Sequence, residues 1–274
     1  MSIGTLYIVS TPIGNLEDIT LRALRTFKEV DVIACEDTRH SGKLLTHYGI
    51  SKPLISYWGE KEKTKADDVL SILSSGRSVA LISDAGTPGI SDPGTVLITR
   101  AIESGMSVVP IPGPSALVTA LSLSGFSTAE FIFVGFLPPK LTYRLKKLRD
   151  LSLESRTLII YEAPHRIVAS VTEMSEIFSG RRAVLVKELT KLFEDIYRGT
   201  LAEILEQLEA SKIAGEYVLV IEGRGEEEGV NAEEALSEVR ALMKKGLSRK
   251  DASKRISEQY GMSKKELYDK SLER

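Results

Sequence analysis

The stretch from Ser78 to Gly94, SVALISDAGTPGISDPG, constrains this chain more than any other. Val79-Ala80-Leu81-Ile82 is a continuous apolar run, the pattern of a strand buried on both faces. It ends at Ser83-Asp84, and three glycines and two prolines follow between Asp84 and Gly94. Asp92-Pro93 carries the signature of a helix start, with Asp as N-cap and Pro in the first helical position. A strand that empties into a rigid loop before a helix marks the ligand-binding edge of an α/β sheet. The same pattern also suits a tight connection with no ligand.

The residue types of this loop restrict what it holds. Glycines let ligand atoms approach the backbone, and prolines stiffen the path. Neither GxGxxG after the first strand nor GxxxxGK[ST] anywhere is present. The loop has no Lys or Arg and carries Asp84 and Asp92. A bare phosphate is poorly served there. A ligand with a cationic centre and a neutral, hydrogen-bonding body fits better.

Strand-like runs at 5–10, 31–36, 54–57, 78–83 and 107–111 alternate with helix-like stretches at 20–28, 38–48, 61–74 and 93–104. This alternation implies a largely parallel sheet covered by helices on both faces. Pro112-Gly113-Pro114 interrupts it, and Ser115 is placed to cap an apolar helix from Ala116 to Leu123. A second set follows, with strand runs at Phe131–Val134, Leu158–Tyr161, Ala183–Val186 and Tyr217–Ile221; Glu194–Arg198 is a candidate antiparallel strand. The expected architecture is α/β: one αβα domain over 1–113, a second over 114–225, and a linker with a small basic helical domain over 226–274. The tail helices are expected at 232–245, 249–260 and 263–272, each behind a capping signal (Asn231/Glu234, Ser248/Asp251, Ser263/Glu266). The last two have helix-turn-helix spacing, which suits either nucleic acid or a small docking bundle.

Charge is near balance overall, at −2, but it is unevenly spread. Residues 239–274 carry a net +6, leaving −8 on the rest. A second basic island comprises Lys140, Arg144, Lys146, Lys147 and Arg149, with no acid among them. Two such islands on an acidic body suit a polyanion met by particular faces, although any one such run also suits a solvated helix face. The single cysteine, Cys35, lies in an apolar run and reads as a buried structural thiol. One cysteine permits no internal disulfide and suits a reducing cytoplasm. His40, His47 and His165 are scattered without metal-ligand spacing, so no structural metal is expected. The apolar opening segment, Thr5–Val9, is too short for a membrane span, and no membrane partner is expected.

Several motifs together resemble the tetrapyrrole-methylase-like (class III) S-adenosylmethionine methyltransferases. These are Ser10–Thr20 (STPIGNLEDIT), Ala34–Arg39 (ACEDTR), Ser83–Pro88 (SDAGTP), Pro112–Ala116 (PGPSA), Tyr161–Arg166 (YEAPHR) and Gly215–Tyr217 (GEY). The match covers about residues 3 to 225. Tetrapyrrole-acting relatives usually show GxGPGD in the first loop, where this chain has STPIGN. That departure argues against a corrin or porphyrin substrate and agrees with the family's ribosomal RNA branch, whose basic tail this chain also resembles. The resemblance implies 2′-O-methylation of a cytidine in the decoding region of small-subunit rRNA, with S-adenosyl-L-methionine as donor, by a homodimer. A same-fold methyltransferase of a metabolite or protein, which needs no basic islands, and a non-catalytic nucleic-acid binder, which needs no cleft, are the alternatives.

Carried over by position, the resemblance places the donor in a cleft between the two domains. Pro12, Ile13 and Gly14 in the first loop and Asp84, Gly86, Thr87 and Pro88 in the second are implied contacts. Ser115 and Ala116, then Tyr161 and Glu162, then Ala214, Gly215, Glu216 and Tyr217 complete the donor site. For the proton acceptor, Glu36-Asp37 at the end of the second strand is the first candidate, with helix capping by Asp37 as the alternative. Lys187 and Glu188 come next, and His165 third. Lys140, Arg144, Lys146, Lys147, Arg149, Arg249 and Lys250 are the expected RNA contacts.

Overall fold

The computed structural model describes residues 3–57, 62–225, 232–260 and 262–272. Five strands form a first, fully parallel sheet: β1 (Thr5–Val9), β2 (Val32–Cys35), β3 (Leu54–Ser56), β4 (Val79–Ile82) and β5 (Ser107–Ile111), in spatial order β3-β2-β4-β1-β5. Every residue of β2 and of β4 is buried, as their unbroken apolar runs require when helices cover both faces. The covering helices are α1 (Leu21–Glu29), α2 (Thr38–His47), α3 (Glu62–Ser74) and α4 (Thr95–Glu103). One core cluster joins Leu6, Val79 and Leu81 to α3 and α4, and another joins Val9, Ile33 and Ile82 to α1 and α2.

After Pro112-Gly113-Pro114, helix α5 (Ala116–Ser124) leads into a second five-stranded sheet. It contains β6 (Phe131–Phe136), β7 (Thr157–Glu162), β8 (Arg182–Lys187), β9 (Asp195–Thr200) and β10 (Tyr217–Ile221), in order β6-β7-β10-β8-β9. Helices α6 (Leu141–Leu151), α7 (Ile167–Ile177) and α8 (Leu201–Glu209) pack on it. β9 is antiparallel to β8, as the sequence suggested, and β10 runs antiparallel to both β7 and β8, so this sheet is mixed. The tail contains α9 (Ala232–Lys244), α10 (Arg249–Tyr260) and α11 (Lys264–Lys270) around its own core of Val239, Ala252, Ile256 and Leu267. Ser248 and Ser263 cap the last two helices, accepting from the backbone N–H of Asp251 and Glu266; Asn231 lies outside the described residues.

Two local expectations need correction. Helix α4 starts at Thr95, with Gly94 as N-cap and no side-chain cap. Gly94 has φ +143°, and a Cβ there would stand 3.1 Å from the Leu81 side chain and 3.2 Å from the Gly89 nitrogen. Only glycine meets that backbone demand, so Asp92-Pro93 remains in the loop. Ser115 is the N-cap residue of α5 by backbone, but its hydroxyl makes no capping bond. Cys35 is fully buried, and burial pushes its thiol upward in pKa.

Candidate donor-binding cleft

The loops that leave β1, β4 and β5 are fastened to one another at one edge of the first sheet. Thr11 and Gly86 form an isolated antiparallel bridge, with N–H donated each way at 2.8 and 3.1 Å. The Thr11 hydroxyl donates to the Ser83 carbonyl at 3.2 Å, and the Ser10 and Thr87 hydroxyls meet at 2.8 Å. Thr87 also donates to the Pro114 carbonyl at 3.5 Å. A Cβ on Gly113 would come within 2.9 Å of Ser10 Cβ, so the interdomain turn can close against β1 only with glycine there. The first loop then crosses to the second domain. The Asn15 N–H donates to Thr190 at 3.1 Å, and a Cβ on Gly14 would stand 2.5 Å from Lys191 Cγ.

Between the two sheets lies a cavity of ≈ 370 Å³, within the size range of small-molecule sites. From the first domain it is lined by Ile13, Gly86, Thr87 and Asp92, and at the hinge by Ser115 and Ala116. The second domain contributes Phe136 from β6, Tyr161 to Pro164 from the end of β7, Leu189 after β8, and Glu216 to Val218 from β10. These are carboxyl ends of parallel strands together with the start of the antiparallel one, which is how a mixed sheet brings Tyr217 to the same edge.

The cleft is apolar with an acidic fringe. Among the described residues, no Lys or Arg lines it. The Tyr161 phenol is pushed up to about 12, chiefly by burial, with the Asp92 charge adding and a bond from the Leu117 N–H opposing. Burial raises Asp92 above the ordinary carboxylate range, and Asp84 and Glu216 push the same way. Glu36 is raised by burial and by the charges of Asp84 and Asp92. A cationic ligand therefore meets negative potential and no competing cation on the walls.

Of the expected donor contacts, Ile13, Gly86, Thr87, Ser115, Ala116, Tyr161, Glu162, Glu216 and Tyr217 line the cavity. The others sit behind it. Pro12 and Pro88 are buried in the loop supports. Gly14 faces Lys191 across the domain junction, and Gly215, at φ +85°, leaves room for the Glu188 carboxylate, which accepts the Glu216 N–H at 2.9 Å. The Ala214 N–H points to the Tyr217 hydroxyl at 3.4 Å. The Asp84 carboxylate accepts the Asp37 N–H at 3.2 Å and so ties the β2 and β4 loops together. Glu162 turns its carboxylate inward to Arg166, Ser170 and the Ala163 N–H.

The expected catalytic residues separate. Asp37 is the N-cap of α2, accepting from the N–H groups of Arg39 and His40 at 2.7 and 3.4 Å. These bonds hold its carboxyl below the usual range, which weakens it as a base, and it does not line the cavity. The capping reading of Asp37 is the one the geometry carries. Glu36 is half-buried beside Asp84 but likewise does not line the cavity. Lys187 is correctly at the end of β8, yet its ammonium donates to the Lys212 carbonyl at 3.0 Å and pairs with Asp195 at 3.5 Å, away from the cavity wall. His165 is exposed in the turn before α7 rather than inside a helix.

The basic island over 140–149 also divides. Arg144 is buried, its guanidinium bound to both Glu173 oxygens at 2.6 Å and to the Pro139 carbonyl at 3.1 Å. It holds α6 to α7, with three of its N–H groups engaged and its side chain only 11 % exposed. Lys140, Lys146, Lys147 and Arg149 are exposed. In the tail, Lys250 is exposed and Arg249 half-buried.

One cationic surface escaped the sequence reading. On α2, Arg39, Lys43 and His47 follow at four-residue steps along an open groove that also contains Thr38, Gly42 and Thr46. Arg39 is 89 % exposed and stands at the helix N-terminus, at the same sheet edge as the Asp84 loop. The i, i+4, i+8 spacing was the available signal.

Two α/β sheets enclosing an acid-fringed cleft between strand ends, with glycine-bearing loops as walls, define a ligand-binding enzyme fold of the methylase type. Residues 5–205 match the family model of Tetrapyrrole (Corrin/Porphyrin) Methylases, and the chain belongs to that family. Several curated relatives of one name are similar to it over nearly the full chain. The ribosomal RNA small subunit methyltransferase I of Synechocystis is 44 % identical, covering 98 % of both chains. That of Vibrio cholerae is 46 % identical over 98 % of this chain and 94 % of its own. Among solved structures, uroporphyrin-III C-methyl transferase from Thermus thermophilus, complexed with S-adenyl homocysteine, has the same fold. The TM-score is 0.58 at 20 % identity, covering 79 % of this chain and 97 % of that one.

Proposed function

We propose that this protein transfers a methyl group from S-adenosyl-L-methionine to small-subunit ribosomal RNA, at the 2′-hydroxyl of a cytidine ribose in the decoding region. The observation that carries the reading is the interdomain cleft, whose walls, among the described residues, hold carboxylates and backbone groups but no cation. A phosphate-bearing cofactor finds no counter-charge there, whereas a neutral nucleoside joined to a positive sulfur meets no like charge. Ile13, Gly86, Thr87, Ser115, Ala116, Tyr161 and the backbone of Glu216–Val218 are the residues that would hold the donor. Gly86 supports this fit, since its missing side chain is part of the cavity wall facing Ile13.

The donor supplies a methyl group already activated by a positively charged sulfur. The protein's tasks are then to align the acceptor oxygen, exclude water and remove one proton. Alignment alone can contribute roughly 7–11 kcal/mol. The loops that must stay aligned are fastened by the Thr11–Gly86 bridge and the Ser10–Thr87 contact. Small-subunit RNA as acceptor is supported by the names of relatives identical at 44–46 % and by the exposed cations of α2, α6 and the tail.

We further infer that two copies pair. Leu192 and Phe193, two adjacent large apolar side chains in the turn before the edge strand β9, are 90 % and 74 % exposed, which suits cover by a symmetric mate. The reading of function is tested by incubating the protein with methyl-labelled donor and small subunits isolated from cells lacking the modification. Label should enter the RNA of the small subunit and not its proteins. Label in protein alone would replace this reading with the same-fold protein methyltransferase.

A further inference from the structure

We propose that Asp92 is the catalytic proton acceptor for the ribose hydroxyl, a role that rests on the methyl-transfer reading above. In sequence Asp92 had the look of a helix cap, and the structure removes it from that duty: Gly94 caps α4. Asp92 lies instead on the cavity wall, in the same space as Tyr161 and Glu216. Among the described residues no Lys, Arg or His forms an ion pair with it. The groups that face it are Asp84 from the β4 loop, Glu36 from the end of β2, Glu216 just before β10 and the Tyr161 phenol from β7; the Ser83 hydroxyl, which also donates to the Ala85 carbonyl at 3.2 Å, favours its charged form. Lys191 is taken up by Glu188 and Glu216 at 2.8 and 2.9 Å.

The backbone around Asp92 is held in a costly shape. Ser91, directly before it, has φ +64°, in the left-handed region that non-glycine residues rarely adopt. The Gly89 N–H donates to the Pro93 carbonyl at 3.2 Å, the Ile90 N–H donates to Thr87 at 3.2 Å, and Gly94 turns at φ +143°. Across the junction, a Cβ on Gly135 at the β6 bulge would lie 3.3 Å from Ser91 Oγ, so the opposite domain is shaped to receive this loop. Two positive-φ residues and two backbone bonds thus fix the loop that presents this carboxylate to the cavity. Glu36, Asp37 and Asp84 are occupied in linking loops or lie outside the wall, and Glu162 is bound to Arg166 and Ser170.

The step balances without further reagents. The ribose oxygen forms the new O–C bond as the methyl C–S bond breaks, its electron pair passes to sulfur, and the hydroxyl proton passes to the Asp92 carboxylate and then to solvent. An acceptor of raised pKa amid other acids is better matched to this task than the depressed Asp37.

The test compares the wild type with Asp92→Asn and Asp92→Glu. Calorimetry measures affinity for S-adenosylmethionine and for its neutral product S-adenosylhomocysteine, and single-turnover transfer into small subunits is followed against pH. Asp92→Asn should lose at least 10²-fold in transfer rate while both affinities stay within about twofold. The wild type should lose rate as pH falls and Asp92 is protonated. That acid limb should persist in Asp92→Glu, at partial rate, and disappear from the residual activity of Asp92→Asn. If Asp92→Asn weakens the cationic donor but not the neutral product, Asp92 is a counter-charge and the proposal fails. Full transfer by Asp92→Asn overturns it alone. A wild type that transfers nothing to this RNA overturns the functional reading and the proposal with it.

Discussion

Replacing Arg144 by alanine separates two roles for one basic segment. As a phosphate contact, Arg144 would be dispensable for folding. In the structure its side chain is 11 % exposed and Glu173 is 14 % exposed, and two bonds of 2.6 Å join them. Removing one partner of a buried pair leaves the other charge uncompensated, which typically costs about 3–5 kcal/mol. The residual exposure of both groups and the loss of only one further bond, to Pro139, place the expected cost at the lower end, about 3 kcal/mol. At roughly 2–4 °C per kcal/mol for a unit of this size, the melting temperature should fall by about 6–12 °C. Glu173→Ala should cost a similar amount. The double variant Arg144→Met/Glu173→Leu should recover most of the loss, because apolar replacement of a buried pair is often neutral. Scanning calorimetry and urea titration of the four proteins complete the cycle. An Arg144→Ala protein with unchanged melting temperature and weakened RNA binding would refute the reasoning and return Arg144 to the RNA surface.

Gly86→Val should reduce S-adenosylhomocysteine affinity at least tenfold by calorimetry, because Gly86 lines the cleft at φ +76° and a Cβ there already stands 3.5 Å from Ile13; an L-residue in that conformation costs about 1–2 kcal/mol besides. Changing Arg39, Lys43 and His47 together to alanine should leave donor affinity intact and flatten the salt dependence of RNA binding by about one unit of slope per lost phosphate contact. Deleting residues 232–274 should also preserve donor binding, since the tail helices have their own core and none of their described residues lines the cleft, while transfer into small subunits falls.

The fold was legible because its strands are of the kind that local pattern reveals. Val32–Cys35 and Val79–Ile82 are unbroken apolar runs, and they became central strands buried on both faces. Strand direction was not legible: Tyr217–Ile221 has the same apolar character, yet it runs antiparallel between β7 and β8. The SDAGTP and PGPSA segments pointed to the cleft because glycine and proline mark close approach and fixed turns wherever they occur. What local sequence concealed were long-range partners. Nothing near Arg144 announces Glu173, which lies 29 residues on and one helix away. Nothing near Gly14 announces Lys191. Asp92-Pro93 obeyed the local rule for a helix start, and the tertiary demand at Gly94 overrode it. The row on α2 was hidden because His47 was read as one of three scattered histidines and Arg39 and Lys43 were not read together with it.

The central claim is that the methyl group lands on a ribose oxygen of small-subunit RNA, and the position of the label decides it. After transfer from methyl-labelled S-adenosylmethionine, the RNA is hydrolysed in alkali and the products are separated. A 2′-O-methyl group blocks cleavage of the adjacent phosphodiester, so the account predicts label in one alkali-stable dinucleotide whose 5′ member is cytidine. Label released as an alkali-labile mononucleotide, carrying its methyl group on the base, would contradict it.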